Sequence, residues 1–543
     1  MPRALLAAAV LCGAAYAQAR TGGVLHVAQR AEPKTFNPVA AVDAPSRDVL
    51  RRIHGDLISL DRSTMRTAPG LAESWKTSAD GRVISLRLRP NVKFSDGHPF
   101  ASDDVAFTFA AHLDPAVASA QRDLLVLHGK PIVVRTKGPL AVEVEFPEPY
   151  AAGDRLFDSI AILPRHRLEA AWKAGTLRQA WTLAAAPAEI AGLGPFRLKE
   201  YRAGEAVVLE RNPYYWQKDR PYLDGIEFRL LPDEETQLAW FVSGRLDILN
   251  RLQPQAIGYL GSRHLPVSDS GPSLEYNFVC FNLSFSGTAR PYHSTEFRKA
   301  LSAAVDRRAM ARVVYEGRAA PIWGPVSPGN ELWFRAPQWS PNHAIADAKR
   351  RLSSAGFRWN AHTELVDAAG KPVEFTLLVS ASSAERIRMA NLVAADWKEL
   401  GVKAQVVTLE FRSLLERVLN TRQFDAVLLG LGGGDADPNP EMNVWLSSGG
   451  MHLWNPNQAK PATAWEAELD RLMQDQMVTV DPARRRGLYH RALGIIEREQ
   501  PMIFLVSPHV VTAQRGRVGN FRPARLDHYT LWNAAELYLG QDK

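Results

Sequence analysis

The sequence predicts an α/β protein with a parallel sheet, preceded by a β-rich section. Three observations carry this. Residues 374–429 alternate strand, helix, strand, helix, strand, an order that implies parallel strands with helices on their faces. Residues 75–146 carry period-2 hydrophobic alternation instead. The chain has 543 residues, 46% hydrophobic and 23% charged, which is enough for several folded units around large cores.

Residues 24–28 read as a first strand, followed by a turn-rich stretch over 32–38. Asp80-Gly81 marks a hairpin. Ile84, Leu86 and Leu88 then alternate with Ser85, Arg87 and Arg89, a half-buried strand. Ser102-Asp103-Asp104 offers a cap and an acidic first turn to a helix reaching Ala111. Val142, Val144 and Phe146 repeat the alternation up to Pro147. Beyond Gly192, strands are expected at 196–198, 207–209 and 226–230, with a helix over 234–241 stopped by Gly244. Phe297, Leu301, Val305, Ala309 and Val313 recur every four residues and predict one helix that Gly317 ends. The regular unit follows: strands 374–379, 402–409 and 424–429, helices 384–400 and 411–419. Long helices are expected at 463–476 and 482–498, and a last apolar strand at 502–506.

The net charge is +7, but Lys and Arg are scattered. The densest patch, Arg484-Arg485-Arg486, reads as a solvated helix face, so no nucleic-acid partner is expected. No apolar run approaches the roughly 18 residues that a membrane-spanning helix needs. Residues 1–19 read as a secretory signal peptide: Arg3, an apolar stretch over 4–15, and small residues fitting cleavage near Ala17 or Ala19. A periplasmic or otherwise extracytoplasmic location follows. A lipid anchor at Cys12 is the second option, and Leu11 before it fits poorly. With Cys12 removed, Cys280 has no disulfide partner.

Catalytic signatures are missing. The 14 histidines are dispersed, with no HExxH pair, so no metal site is assigned. Gly129-Lys130 and Gly370-Lys371 are each followed by Pro, which excludes a phosphate-binding loop. There is no G-x-S-x-G elbow. No catalytic residue and no cofactor is assigned. One segment could hold a ligand: Gly432, Gly433, Gly434, Asp435 and Asp437, just past the third strand of the regular unit. Open α/β sheets bind ligands beyond the carboxyl ends of their strands. Glycines let a ligand approach the backbone, and the carboxylates would attract a cationic group such as a free amine. A plain turn is the alternative. Trp323, Met442, Trp445 and Trp454 could line an apolar pocket or belong to the core.

Several motifs occur in a specific order. They are LAESW at 71–75, LRLR at 86–89, VKFSDGHPF at 92–100, GLGPF at 192–196, LERNPYYW at 209–216, PYLDGIEF at 221–228, GRLDI at 244–248, FRKALSAAV at 297–305 and WKELGV at 397–402. Together they resemble the family 5 extracytoplasmic solute-binding proteins, the oligopeptide, dipeptide and nickel receptors of ABC importers. The resemblance implies a two-lobed periplasmic-binding-protein fold (type II, cluster C-like) with an extra β-rich domain inserted in the first lobe. The expected division is 20–50, 186–270 and 501–543 for the first lobe, 51–185 for the insertion and 271–500 for the second lobe. It implies a monomer that closes on a peptide or other small-molecule ligand and delivers it to an ABC permease in the inner membrane. By the same resemblance Asp435 takes the role of holding a peptide amino terminus, while Ala436 replaces the usual aromatic residue. Tyr276 lies on the strand that crosses back at the cleft. Chelated nickel, haem, opine and sugar ligands stay open, as does a secreted hydrolase.

Overall fold

The computed structural model describes residues 21–541, except 120, 128, 285–289, 433–434, 457, 459 and 527–529. The expected signal peptide, Cys12, Gly433 and Gly434 lie outside the described residues.

Two open sheets organise the molecule. In the first, Val24–Gln29 lies parallel to both Gly225–Leu230 and Ile248–Leu249. Phe196–Arg202 and Ala206–Arg211 extend one edge, and Val506–Gln514 and Val267–Pro272 the other, all antiparallel. The second sheet has five strands in the order Lys403–Leu409, Glu374–Ser380, Ala426–Leu431, Tyr276–Phe281, Met502–Phe504. Its first three strands are parallel, as the strand–helix alternation requires. Helices such as Ala384–Lys398 and Pro482–Glu499 cover its two faces. Met389, Val393 and Trp397 of Ala384–Lys398 are fully buried, and Gly401 follows at φ +80°.

The β-rich section forms a separate four-stranded antiparallel sheet: Ala72–Thr77, Val83–Leu88, Ala141–Glu145 and Val133–Thr136. Ile84, Leu86, Val142 and Val144 point into its own core. Gly81, at φ +69°, turns the first hairpin.

Three local expectations are corrected. The helix read from 297 onward is two helices, Thr295–Ala304 and Arg307–Tyr315. Asp306 breaks it by accepting a hydrogen bond from the Ala309 N–H at 2.9 Å, an N-cap for the second helix. A strict four-residue spacing also drifts around a helix of 3.6 residues per turn, and Val313 ends 59% exposed. Ser102 is not a cap: it is the first helical residue, and its hydroxyl donates to the Gly138 carbonyl. Asp104 instead accepts from the Ala101 N–H. The apolar strand at 502–506 is divided, with Met502–Phe504 in the second sheet and Val506–Gln514 in the first. Only Leu505 separates them. The other crossing between the sheets runs from Val267–Pro272 to Tyr276–Phe281.

Candidate functional site: the cleft between the two sheets

In each lobe, a cavity borders the carboxyl ends of parallel strands. On the first lobe, Gln29 and Asn250 stand at these ends and line a cavity of about 750 Å³ together with Asp48 and Gln237. Gln29 donates from Nε2 to the Pro45 carbonyl at 3.0 Å, while its Oε1 is buried without a partner. Gln121 and Leu124, which follow the helix Ser102–Leu113, complete the wall. Arg251 lines this cavity and also a second one of about 190 Å³ at the lobe junction.

That junction is charged. Arg386, near the start of Ala384–Lys398, donates to Asn277 Oδ1 and to Glu275 Oε1, both at 3.0 Å. A Cβ at Gly430 would lie 2.2 Å from the Arg386 guanidinium, so glycine is what lets this arginine cross the end of Ala426–Leu431. Asp269 accepts from His509 Nδ1 and from Arg318, both at 3.0 Å. Burial would raise the Asp269 pKa, but His509, the Gly271 N–H and Arg318 outweigh it and hold the carboxyl below its usual range.

The glycine–aspartate segment follows Ala426–Leu431. Gly432 is exposed, with open space where a side chain would stand. Asp435 is one-fifth exposed and forms a two-pronged ion pair with Arg155, which donates from Nε to Oδ2 at 2.7 Å and from Nη2 to Oδ1. Arg155 belongs to the β-rich section, in the 3-10 segment Gly153–Asp158, so this pair ties that section to the second lobe. The adjoining Ala436 packs with Leu60, Met65, Leu274 and Leu526 in a small apolar cluster drawn from all three parts of the chain. Asp437 is buried and accepts two hydrogen bonds from Arg485, each 2.7 Å, and one from the Asn439 N–H. Its carboxylate is therefore committed inside the second lobe.

The aromatic candidates offer no surface at this end, although Tyr276 is the register partner of Leu431. Tyr276 is 1% exposed in the second-lobe core, and its hydroxyl has no hydrogen-bond partner. Trp454 is fully buried there too, tilted 40° to the neighbouring Trp445 ring and donating to Glu466 Oε1 at 3.1 Å. Trp323 lines a separate cavity of about 70 Å³ with Phe334 and Leu493, and donates to the Pro341 carbonyl. Of the described residues singled out by sequence, Gly432 and Asp435 are the ones that follow Ala426–Leu431 and keep exposed surface. Sequence reading missed Arg155, Glu275 and Arg386. Arg155 and Asp435 are 280 positions apart, and no local pattern joins them. Away from the cleft, His343, Asp396 and Glu399 converge on the second lobe's surface, with His343 ion-paired to Glu399 at 2.9 Å.

Comparison with known proteins agrees with this architecture. A probable ABC transporter-binding protein of Deinococcus radiodurans is 28% identical, over 92% of this chain and 89% of its own. Heme-binding protein A of Haemophilus influenzae is 25% identical, over 87% and 84%. The solved structure of the oligopeptide-binding protein AppA of Bacillus subtilis, in complex with a nonapeptide, superposes with a TM-score of 0.73 at 24% identity. It covers 96% of this chain and 100% of that one. Residues 66–452 match the family model described as bacterial extracellular solute-binding proteins, family 5 Middle. The chain belongs to that family, the substrate-binding proteins of ABC transporters.

Proposed function

We propose that the protein captures a peptide or peptide-like solute between its lobes and hands it to an ABC permease. One observation carries this: a cavity of about 750 Å³ borders the parallel strand ends of the first lobe and shares Arg251 with a second cavity at the lobe junction. That volume suits a ligand of several residues, and backbone-like groups suit the amide side chains of Gln29, Gln237 and Asn250 along the wall. No catalytic step is invoked. Closure of two rigid lobes around the solute is sufficient for capture.

Asp435 is the proposed partner of the ligand's amino terminus. Its present partner, Arg155, has to give way, or share the carboxylate, when an amine arrives. The Arg155 pairing also favours a second reading, in which the ligand lacks a free amine and the Asp435–Arg155 pair stays closed behind it. Calorimetry with tri-alanine and its N-acetylated form separates the two. For the amine anchor, Asp435→Ala weakens tri-alanine binding by about 2–5 kcal/mol, and acetylation costs nothing further in the variant. Unchanged affinity in Asp435→Ala removes the amine anchor. Native mass spectrometry of the exported protein then identifies the co-purified solute.

A further inference from the structure

A second polar cavity, of about 300 Å³, lies where the first lobe meets the β-rich section. None of its lining residues belongs to the second-lobe sheet or the helices that cover it. Glycines shape it. A Cβ at Gly192 would lie 2.0 Å from the Ile53 carbonyl oxygen, and one at Gly194 2.5 Å from that of Arg52. Their absence lets this segment close against the end of the helix Ala44–Ile53 and presents His54 and Asp56 to the cavity.

The lining contains polar groups whose needs the protein does not meet. His54 is 4% exposed, and neither ring nitrogen has a hydrogen-bond partner among the described residues. Burial holds its pKa down to about 3, so the ring is neutral, with one donor and one acceptor. Asn533, 5% exposed, donates to the Asn520 carbonyl, but its Oδ1 is unpartnered. The Asp56 carboxyl accepts no hydrogen bond among the described residues, and burial and then the nearby Asp158 push its pKa well up. Buried groups left in this state cost free energy that a bound partner recovers.

Charge narrows the partner's chemistry. Arg51, Arg52, Arg62 and Arg220 line the cavity, matched by Asp56, Asp61, Asp158 and Glu536. Arg62 is bonded to Asp158 at 2.5 Å, and Arg220 to Glu536 at 2.6 Å. Among the described residues, four arginines thus face four carboxyl groups, so the wall offers partners to both a cationic and an anionic group. Trp216 and Trp532 add flat apolar surface.

We propose that this cavity is a second binding site, separate from the inter-lobe cleft, for a free α-amino acid. Its ammonium group would donate to Asp56, Asn533 Oδ1 and a His54 nitrogen. Its carboxylate would face Arg51 and Arg52, and its side chain the tryptophans.

The test is calorimetry on the full-length mature protein with L-alanine, L-leucine and L-phenylalanine, beside ethylamine and propionate. At least one amino acid should bind one-to-one, and the lone amine and lone acid at least tenfold more weakly. Asp56→Asn should weaken that binding at least tenfold. His54→Phe removes a ring that makes no hydrogen bond, so the variant should keep its melting temperature and lose affinity as well. Asp435→Ala, in the cleft, should leave it unchanged. No binding at millimolar amino acid overturns the site. So does binding that survives both Asp56→Asn and His54→Phe, or that Asp435→Ala abolishes, since that places the amino acid in the cleft. Ethylamine binding as tightly as the amino acids also overturns it.

Discussion

The two aspartates that follow Ala426–Leu431 differ in what their loss leaves behind. Asp437→Ala strands the Arg485 guanidinium, which is buried, rests on the Trp333 ring and also bonds Asn439 and Gln476. An uncompensated buried charge makes the expected cost about 3–5 kcal/mol in urea denaturation. Asp435→Ala leaves Arg155, 13% exposed, still donating to the Met65 carbonyl, so its expected cost is smaller, about 2 kcal/mol. Equal losses for the two variants would contradict the burial difference. Glu441 gives a pH prediction. Burial raises its pKa from 4.5 to about 7, and the hydrogen bond from Trp445 Nε1 only partly opposes this. The folded protein thus holds this proton more tightly than the unfolded chain, so stability falls as pH rises from about 4.5 through 7. Glu441→Gln should flatten that fall and be more stable than the parent at pH 8, by at most about 3 kcal/mol. Thermal melts across that range read the effect, and parallel curves for the two proteins would exclude it.

Single elements were legible wherever one local signal decided them. The alternation of apolar and charged residues around Leu86 and the Gly401 stop after Trp397 are such signals. A side-chain cap that competes with an apolar repeat was not, as the break at Asp306 shows. The helix Ala464–Val478 is a favourable case, since Thr463 and Glu466 cap its start reciprocally. Burial would raise the Glu466 pKa, but hydrogen bonds from His452, Trp454, Gln458 and Thr463 outweigh it and hold it at about 2. Thr463→Ala should destabilise the protein by about 1 kcal/mol. The stability that Glu466 confers is fully present above pH 4.5 and disappears as pH falls toward 2. Acid titration of Glu466→Gln beside the parent reads this directly. A variant with the parent's full acid sensitivity would place that sensitivity elsewhere.

At the scale of the molecule, the two-lobed plan was legible through motif order, whereas the bonds between parts were not. Arg155–Asp435 and the cluster around Ala436 join residues hundreds of positions apart, and only the folded chain shows them. Ligand-driven closure predicts a smaller radius of gyration by small-angle scattering in saturating ligand than without it. An unchanged radius would mean that the lobes are already locked. Arg155→Ala removes one tie between the β-rich section and the second lobe, and should raise the radius of the ligand-free protein.

The two crossings between the sheets are bonded to one another. Leu505 donates to the Asn277 carbonyl at 2.8 Å, Ser273 to that of Pro508 at 2.9 Å, and the Ser507 hydroxyl to that of Ser273 at 3.0 Å. With Ala319–Pro321, which pairs with residues 506–508, they form one ribbon, not independent strings. A ribbon is compliant to flexing out of its plane and stiff to shear within it. The lobes are thereby left one soft coordinate, a swing about an axis lying across the ribbon. Sideways sliding, which would misalign the two walls of the cleft, is opposed by the same hydrogen bonds that carry the chain across. In the proposed closure, each reopening would retrace the path of closing and present the same faces to the permease from one cycle to the next.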